Sequence, residues 1–290
     1  MPGSPVSTSS ISTRAFGRSA QTVSIVGLGG EGILRTHGQE NRAVAVIQEA
    51  IDSGICYFDC APAYAGSEGY YGLVWPKRPV DRFRIFQTSK SAMRDKAGAL
   101  ADLDRTLKTM GIDHLDLWQI HDVRTEEDLS TIAGPKGALE AFLEAKAAGK
   151  ARFIGVTGHH DPFILTQAVR EWPVDAVLMP VNPVEVILGG FLDETLAAAK
   201  EKGLAVIGMK VLGASQYLSP RAGLTAERLI RFALSQPITT AIVGCSTAEE
   251  VKTLAGIGKT FHPLTNDEQL EIVELFHPYA RQLAYYRSAI

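Results

Sequence analysis

From residue 23 to about residue 257 the chain alternates short apolar, β-branched runs with longer amphipathic stretches, and it does so eight times. The strand candidates are Thr22–Leu28, Ile55–Cys60, Arg84–Ser89, Leu115–His121, Phe153–Thr157, Ala176–Val181, Ala205–Met209 and Thr240–Val243. Between them apolar residues recur with the period of a helix. Leu100, Leu103, Leu107 and Met110 form one stripe, and Ala43, Val44, Ile47 and Ile51 another. The segment around Tyr70 carries the weakest pattern. Gly54, Gly111, Gly149 and Gly203 follow periodic runs, as a left-handed residue after a helix C-terminus does. Doubly wound sheets alternate in the same way, so the count decides. Eight units close a barrel, and the expected fold is α/β, a (β/α)8 TIM barrel.

Thr13–Gln21 has no helical period and is expected to form a short N-terminal hairpin on the barrel floor. Thr265–Ala284 reads as an extra C-terminal helix. No Pro/Gly/Ser-rich linker divides the chain, so residues 13–290 are expected as one domain behind a disordered tail of residues 1–12. A barrel of this kind uses about 250 residues as one unit, which 290 residues at 46% hydrophobic content can supply. Twenty-nine basic against 32 acidic residues give a net charge of −3, which argues against a generally basic nucleic-acid binder. No apolar run approaches a membrane span. Three cysteines are too few for a disulfide framework to organise 290 residues, and a cytoplasmic protein is expected.

Three polar residues stand at the carboxyl ends of consecutive strand candidates, at positions 59, 90 and 121: Asp59, Lys90 and His121. Their equal spacing is one strand–helix unit, and a barrel gathers such strand ends at one rim. Alternation turns Tyr57 and Asp59 inward, with Cys56, Phe58 and Cys60 outward. Likewise Leu117, Gln119 and His121 face in, with Trp118 and Ile120 packed outward. An ionisable group inside a narrow barrel needs a partner, and Asp59 and Lys90 suit each other. Tyr64 follows Asp59 on the loop. A tyrosine is a poor acid near pH 7, with an ordinary pKa of about 10, and a neighbouring ammonium is expected to lower it. The reading is a tyrosine acid tuned by Lys90, with Asp59 holding the lysine and His121 donating to a developing oxyanion.

FDCAPAYAGSE, TSK and DLWQIHD together resemble the catalytic signatures of the aldo-keto reductase family. FGRSAQTVSIVGLGGEG is similar to that family's opening hairpin and first strand, and the likeness runs through IGVTG and IVGCSTAEEV. The resemblance implies an oxidoreductase that binds a nicotinamide cofactor without a Rossmann domain. It implies a small carbonyl substrate and the tetrad Asp59, Tyr64, Lys90 and His121. It also implies NADP(H) in preference to NAD(H).

The cofactor positions follow the family less closely. Thr157 and Gly158 stand where the family has Ser-Asn, with His159 as a compensating group. Asn182 replaces a glutamine beside Pro183, and Met209 replaces the stacking tyrosine. Gly29, Gly30, Lys210, Leu212 and Gly213 are implied contacts, Lys210 as a phosphate neighbour. Gly244, Cys245 and Ser246 lead into a helix whose amides suit a phosphate. Glu250 falls where relatives carry an arginine for the 2′-phosphate, and an acid there would repel it. His159 and Trp75 are candidate substrate contacts. The loops expected to set substrate choice, including residues 66–80 and 124–135, carry no code.

GLGGEG at 27–32 formally matches GxGxxG, but no helix opens cleanly at Gly32. His159-His160-Asp161 invites a metal reading. Neighbouring strand-end side chains are expected to diverge, and Asp161-Pro162 reads as a helix start, so no metal is expected. Two rivals stay open: a cofactor-binding regulatory subunit resembling potassium-channel β subunits, and a barrel lyase or isomerase using the same residues without net redox.

Overall fold

The computed structural model describes residues 10–287. A two-stranded antiparallel hairpin, β1 (Thr13–Ala15) and β2 (Thr22–Ser24), precedes eight parallel strands. These are β3 (Val26–Gly32), β4 (Tyr57–Phe58), β5 (Phe86–Ser91), β6 (Leu115–Ile120), β7 (Ala151–Thr157), β8 (Ala176–Pro180), β9 (Ala205–Met209) and β10 (Thr240–Cys245). Each pairs with the next, and β10 returns to pair with β3, closing the barrel. Helices alternate with the strands, among them Glu40–Asp52, Lys96–Met110 and Ala248–Lys259. The glycines expected to stop helices all take positive φ, Gly111 and Gly203 as left-handed caps at 65° and 64°.

Strand alternation sorts the core as the sequence predicts. Phe58, Cys60, Trp118 and Ile120 pack outward, Trp118 stacked on Phe142 at 3.6 Å between ring centres. Tyr57, Phe86, Leu117, Leu178 and Ile207 fill the lower interior. The hairpin turn pushes Phe16 up into this layer, 1% exposed and 4.6 Å from the Phe86 ring centre. The floor is therefore an aromatic plug. Phe16→Ala is expected to cost about 3–5 kcal/mol, the usual range for emptying a buried phenylalanine site. Urea unfolding would measure it, and a loss below about 1 kcal/mol would show that the plug does not close the floor.

Several boundaries differ from the sequence reading. The first expected strand splits, because Thr22–Ser24 serves the hairpin and the barrel strand starts at Val26. Ser24 makes the break by donating its hydroxyl to the Val26 carbonyl and accepting from the Cys56 N–H. Of the expected tail, residues 1–9 lie outside the described residues, whereas Ile11 is buried and Ser12 donates its N–H to Gly258 O. The extra C-terminal helix runs only over Asn266–Phe276, then gives way to a turn containing Pro278 and a short helix, Ala280–Leu283. The helix before β9, Leu196–Lys202, is preceded by a wider π turn over Phe191–Thr195. The supposed loops at 66–80 and 124–135 hold the helices Ser67–Val74 and Glu126–Ala133.

Candidate active site

At the carboxyl rim, Asp59 follows β4, Lys90 is the next-to-last residue of β5 and His121 follows β6. Asp59 and Lys90 are almost wholly buried. A buried ion pair is costly unless its remaining hydrogen-bond capacity is met. Here it is met. Lys90 Nζ donates to Asp59 Oδ1 and Oδ2 at 2.7 and 2.6 Å and to the Cys60 carbonyl at 2.9 Å. Thr88 Oγ1 donates to Asp59 Oδ1 at 2.9 Å. Burial alone would depress Lys90, but Asp59 and Tyr64 together hold its pKa above the ordinary value.

Tyr64 reaches the same point from the loop. Its ring lies 4.7 Å from Lys90 Nζ, centre to nitrogen, and its hydroxyl is 3.4 Å from His121 Nε2. Gly30 makes this possible, since a Cβ there would stand 2.4 Å from the Tyr64 ring. On the ring's outer side the Arg35 guanidinium sits 5.2 Å from its centre, tied to Glu31 at 2.5 Å. Burial, reinforced by Lys90, pushes His121 down to about 3, so it is neutral at pH 7.

The expected lowering of the tyrosine needs correction. Burial raises the Tyr64 pKa, and although Lys90 pulls it down, Asp59 and Glu31 add to the rise and the net direction is upward. The ammonium's charge is largely answered by the carboxylate that grips it. A group with a raised pKa keeps its proton through neutral pH and loses it only above the ordinary value. In a tyrosinate absorbance titration, the difference between wild type and Tyr64→Phe should therefore be a phenol titrating above pH ~10. A difference curve centred below 9 would restore the original expectation.

The implied cofactor residues divide into rim and core. Met209 and Lys210 are half-buried at the end of β9. Thr157 is buried, its Oγ1 accepting the Asp122 N–H at 2.7 Å, and Gly158 donates to Leu178 O. Asn182 is not a free amide. It caps the helix Pro183–Leu188 through Oδ1, and its Nδ2 donates to Lys210 O and Tyr286 Oη at 3.2 and 2.9 Å. Gly29 packs on the β10 backbone, and Gly213 gives way to the Tyr217 ring. Leu212, half-buried, packs beside the C-terminal cluster. Gly244 abuts Glu31, and Cys245 is core, its thiol raised to about 12 by burial. Ser246 N–H, the amide expected to hold phosphate, donates instead to Glu250 at 2.6 Å.

Trp75 does not reach the rim but lies in the hydrophobic core. It is 2% exposed and stacks on Tyr71 and Phe58, because Phe58 is an outward residue and Trp75 lies beneath the helical layer. His159 stands at the rim, where Nδ1 lies 3.1 Å from Tyr286 O. His160 does not diverge from it as expected. Both rings turn toward Asp122, 4.5 Å apart between centres, and burial holds both below the ordinary histidine range.

The sequence reading missed the segment Tyr285–Arg287, which crosses the rim. Tyr286 donates to Glu185 Oε1 at 2.5 Å, Arg287 pairs with the same buried carboxylate, and Tyr285 faces Lys210. No local pattern announces these contacts, of which the two to Glu185 join residues about a hundred positions apart. Thr88, by contrast, was readable as the inward residue two before Lys90.

A closed barrel with a phenol and a neutral imidazole above a buried ion pair belongs to the (β/α)8 proteins that gather polar groups at the carboxyl rim. More narrowly, the chain belongs to the Aldo/keto reductase family, whose model matches residues 25–228. It is 31% identical over 221 residues to L-galactose dehydrogenase of Arabidopsis thaliana, covering 70% of this chain and 66% of that protein. An aldo-keto reductase of Schizosaccharomyces pombe, named with NADP(+), is 28% identical over 220 residues, covering 70% and 62%. The chain thus spans slightly less than two thirds of these relatives' lengths. An aldo-keto reductase from Klebsiella pneumoniae, solved with NADPH, superposes with a TM-score of 0.76 at 22% identity, covering 92% of this chain and 95% of that one. A holo aldo-keto reductase from Bacillus halodurans gives 0.75 at 21%, covering 91% and 96%. At these identities the structural likeness speaks for the fold.

Proposed function

We propose that this protein reduces an aldehyde or ketone to the alcohol, reversibly, with a nicotinamide cofactor and with Tyr64 as the general acid. One observation carries the reading: the Tyr64 hydroxyl stands 3.4 Å from neutral His121, directly above the buried Lys90–Asp59 pair. Tyr64 holds the proton that a carbonyl oxygen must receive. His121 orients that oxygen by a hydrogen bond. Lys90 answers the phenolate left behind, and Asp59 with Thr88 keeps Lys90 in place. The cofactor, when bound, supplies hydride to the carbonyl carbon.

The residues present fit the reactive end of such a cofactor, with a phenol, an imidazole and the half-buried Met209 and Lys210 around one rim. The phosphate end is less accommodating, because Glu250 already occupies the Ser246 amide. The names of the Schizosaccharomyces and Klebsiella relatives favour NADP(H) over NAD(H). Glu250→Arg is then expected to tighten NADPH binding about tenfold and NADH binding little, a charge-assisted contact being worth ~1.5–3 kcal/mol. Tryptophan quenching would measure both. Equal changes would place the extra phosphate elsewhere.

The relatives named L-galactose dehydrogenase and D-galacturonate reductase put aldoses and uronates first in a carbonyl panel. Consumption of reduced cofactor with that panel is the test. Binding without turnover would favour the regulatory-subunit reading, and conversion without cofactor consumption a lyase or isomerase. The described residues contain no helix long and apolar enough to cross a membrane. All three cysteines are free thiols, which suits a cytoplasmic setting.

A further inference from the structure

Among the described residues, histidine and carboxylate donors converge at one place: Asp122, His159 and His160, one donor atom from each lying within 4.8 Å of the others. Two adjacent strand ends bring them there. Asp122 follows β6 with φ at 59°, and its backbone is fixed by Thr157 Oγ1 on its N–H and by Arg94 on its carbonyl. The histidines follow β7. His159 Nε2 lies 3.3 Å from Asp122 Oδ1, and His160 Nε2 lies 3.8 Å from Asp122 Oδ2.

These approaches are not hydrogen bonds. Asp122 Oδ1 and His160 Nε2 are both buried and both lack a partner. Tyr286 O, which only accepts, lies 3.1 Å from His159 Nδ1 and assigns the ring proton to that nitrogen. A neutral His159 then turns its Nε2 lone pair toward a carboxylate oxygen 3.3 Å away, a repulsion that either a ring proton or a metal ion between the two relieves. A histidine that donates its far N–H to a carbonyl is how proteins orient a metal ligand. A tetrahedral site with bonds of about 2.0–2.1 Å has edges of roughly 3.4 Å, close to the Asp122–His159 separation. Arg124 occupies the other oxygen, Oδ2, at 2.8 and 2.5 Å, leaving Oδ1 for the ion.

We propose that Asp122, His159 and His160 bind a divalent transition-metal ion of the zinc type at the barrel rim, next to His121, with at least one coordination position left open. Two imidazoles and one carboxylate suit zinc or cobalt better than magnesium or calcium. The metal site does not rest on the carbonyl chemistry proposed above, although His159 is also one of the rim groups assigned to cofactor and substrate.

The test is equilibrium dialysis of the purified, untagged full chain against Zn2+, with bound metal counted by atomic absorption. One ion per chain is expected. His160→Gln and Asp122→Asn should each weaken binding at least about tenfold, whereas His262→Gln, at an exposed histidine elsewhere, should not. Zn2+ should raise the melting temperature of wild type and not of the two ligand variants. If Asp122→Asn fails to fold, His160→Gln, at a partly exposed side chain, decides, together with the visible spectrum of Co2+-loaded wild type, expected to be that of a four-coordinate site. Substoichiometric binding, binding that survives both substitutions, or a six-coordinate Co2+ spectrum would overturn the proposal and leave only an imidazole–carboxylate contact.

Discussion

Tyr64→Phe should lower kcat by about 10²–10⁴-fold, the usual contribution of a positioned general acid. The substitution removes one hydroxyl and leaves the ring, which still rests on Gly30 and beneath Arg35. Stability should therefore change by no more than about 0.5 kcal/mol. Cofactor affinity, read by fluorescence quenching, should hold within about twofold, because in the ground state the lost hydroxyl meets only the His121 imidazole. A variant retaining wild-type kcat would assign the proton to another group, and His121 is too weakly basic to be charged near neutrality.

Lys90→Met should do two things at once. It strands Asp59 in the barrel with only Thr88 and a 3.5 Å approach from Gln119, a loss of about 3–5 kcal/mol for a broken buried pair. It also removes the cation that answers the phenolate, so kcat falls by at least about a hundredfold. Combining it with Asp59→Asn separates the effects. The double variant no longer buries an unpaired charge and should regain much of the stability while turnover stays low. Urea midpoints together with kcat make the comparison. Recovery of both would mean that the pair is structural only.

The barrel was legible because its evidence is periodic and repeated: eight apolar runs, and glycines at 111 and 203 where left-handed caps are needed. The tetrad was legible because strand alternation and equal spacing fix which side chains meet at a rim. What failed was long-range or a balance between opposing forces. Trp75 is an aromatic in a segment resembling a loop, and only the outward face of Phe58 shows why it is buried. Asn182 looked free because its partner Tyr286 lies 104 residues away. The tyrosine pKa went the wrong way because proximity to Lys90 was readable while burial and the neutralising grip of Asp59 were not. The convergence of His159 and His160 on Asp122 depends on the meeting of two strand ends, which spacing within one segment cannot reveal.

The most direct test uses a reduced nicotinamide cofactor deuterated at its transferable position, with an aldehyde substrate, and follows the alcohol by mass spectrometry. The account predicts one deuterium on the carbinol carbon for every cofactor oxidised, with the hydroxyl proton drawn from solvent. An alcohol free of deuterium, or a product formed with the cofactor left intact, would contradict it.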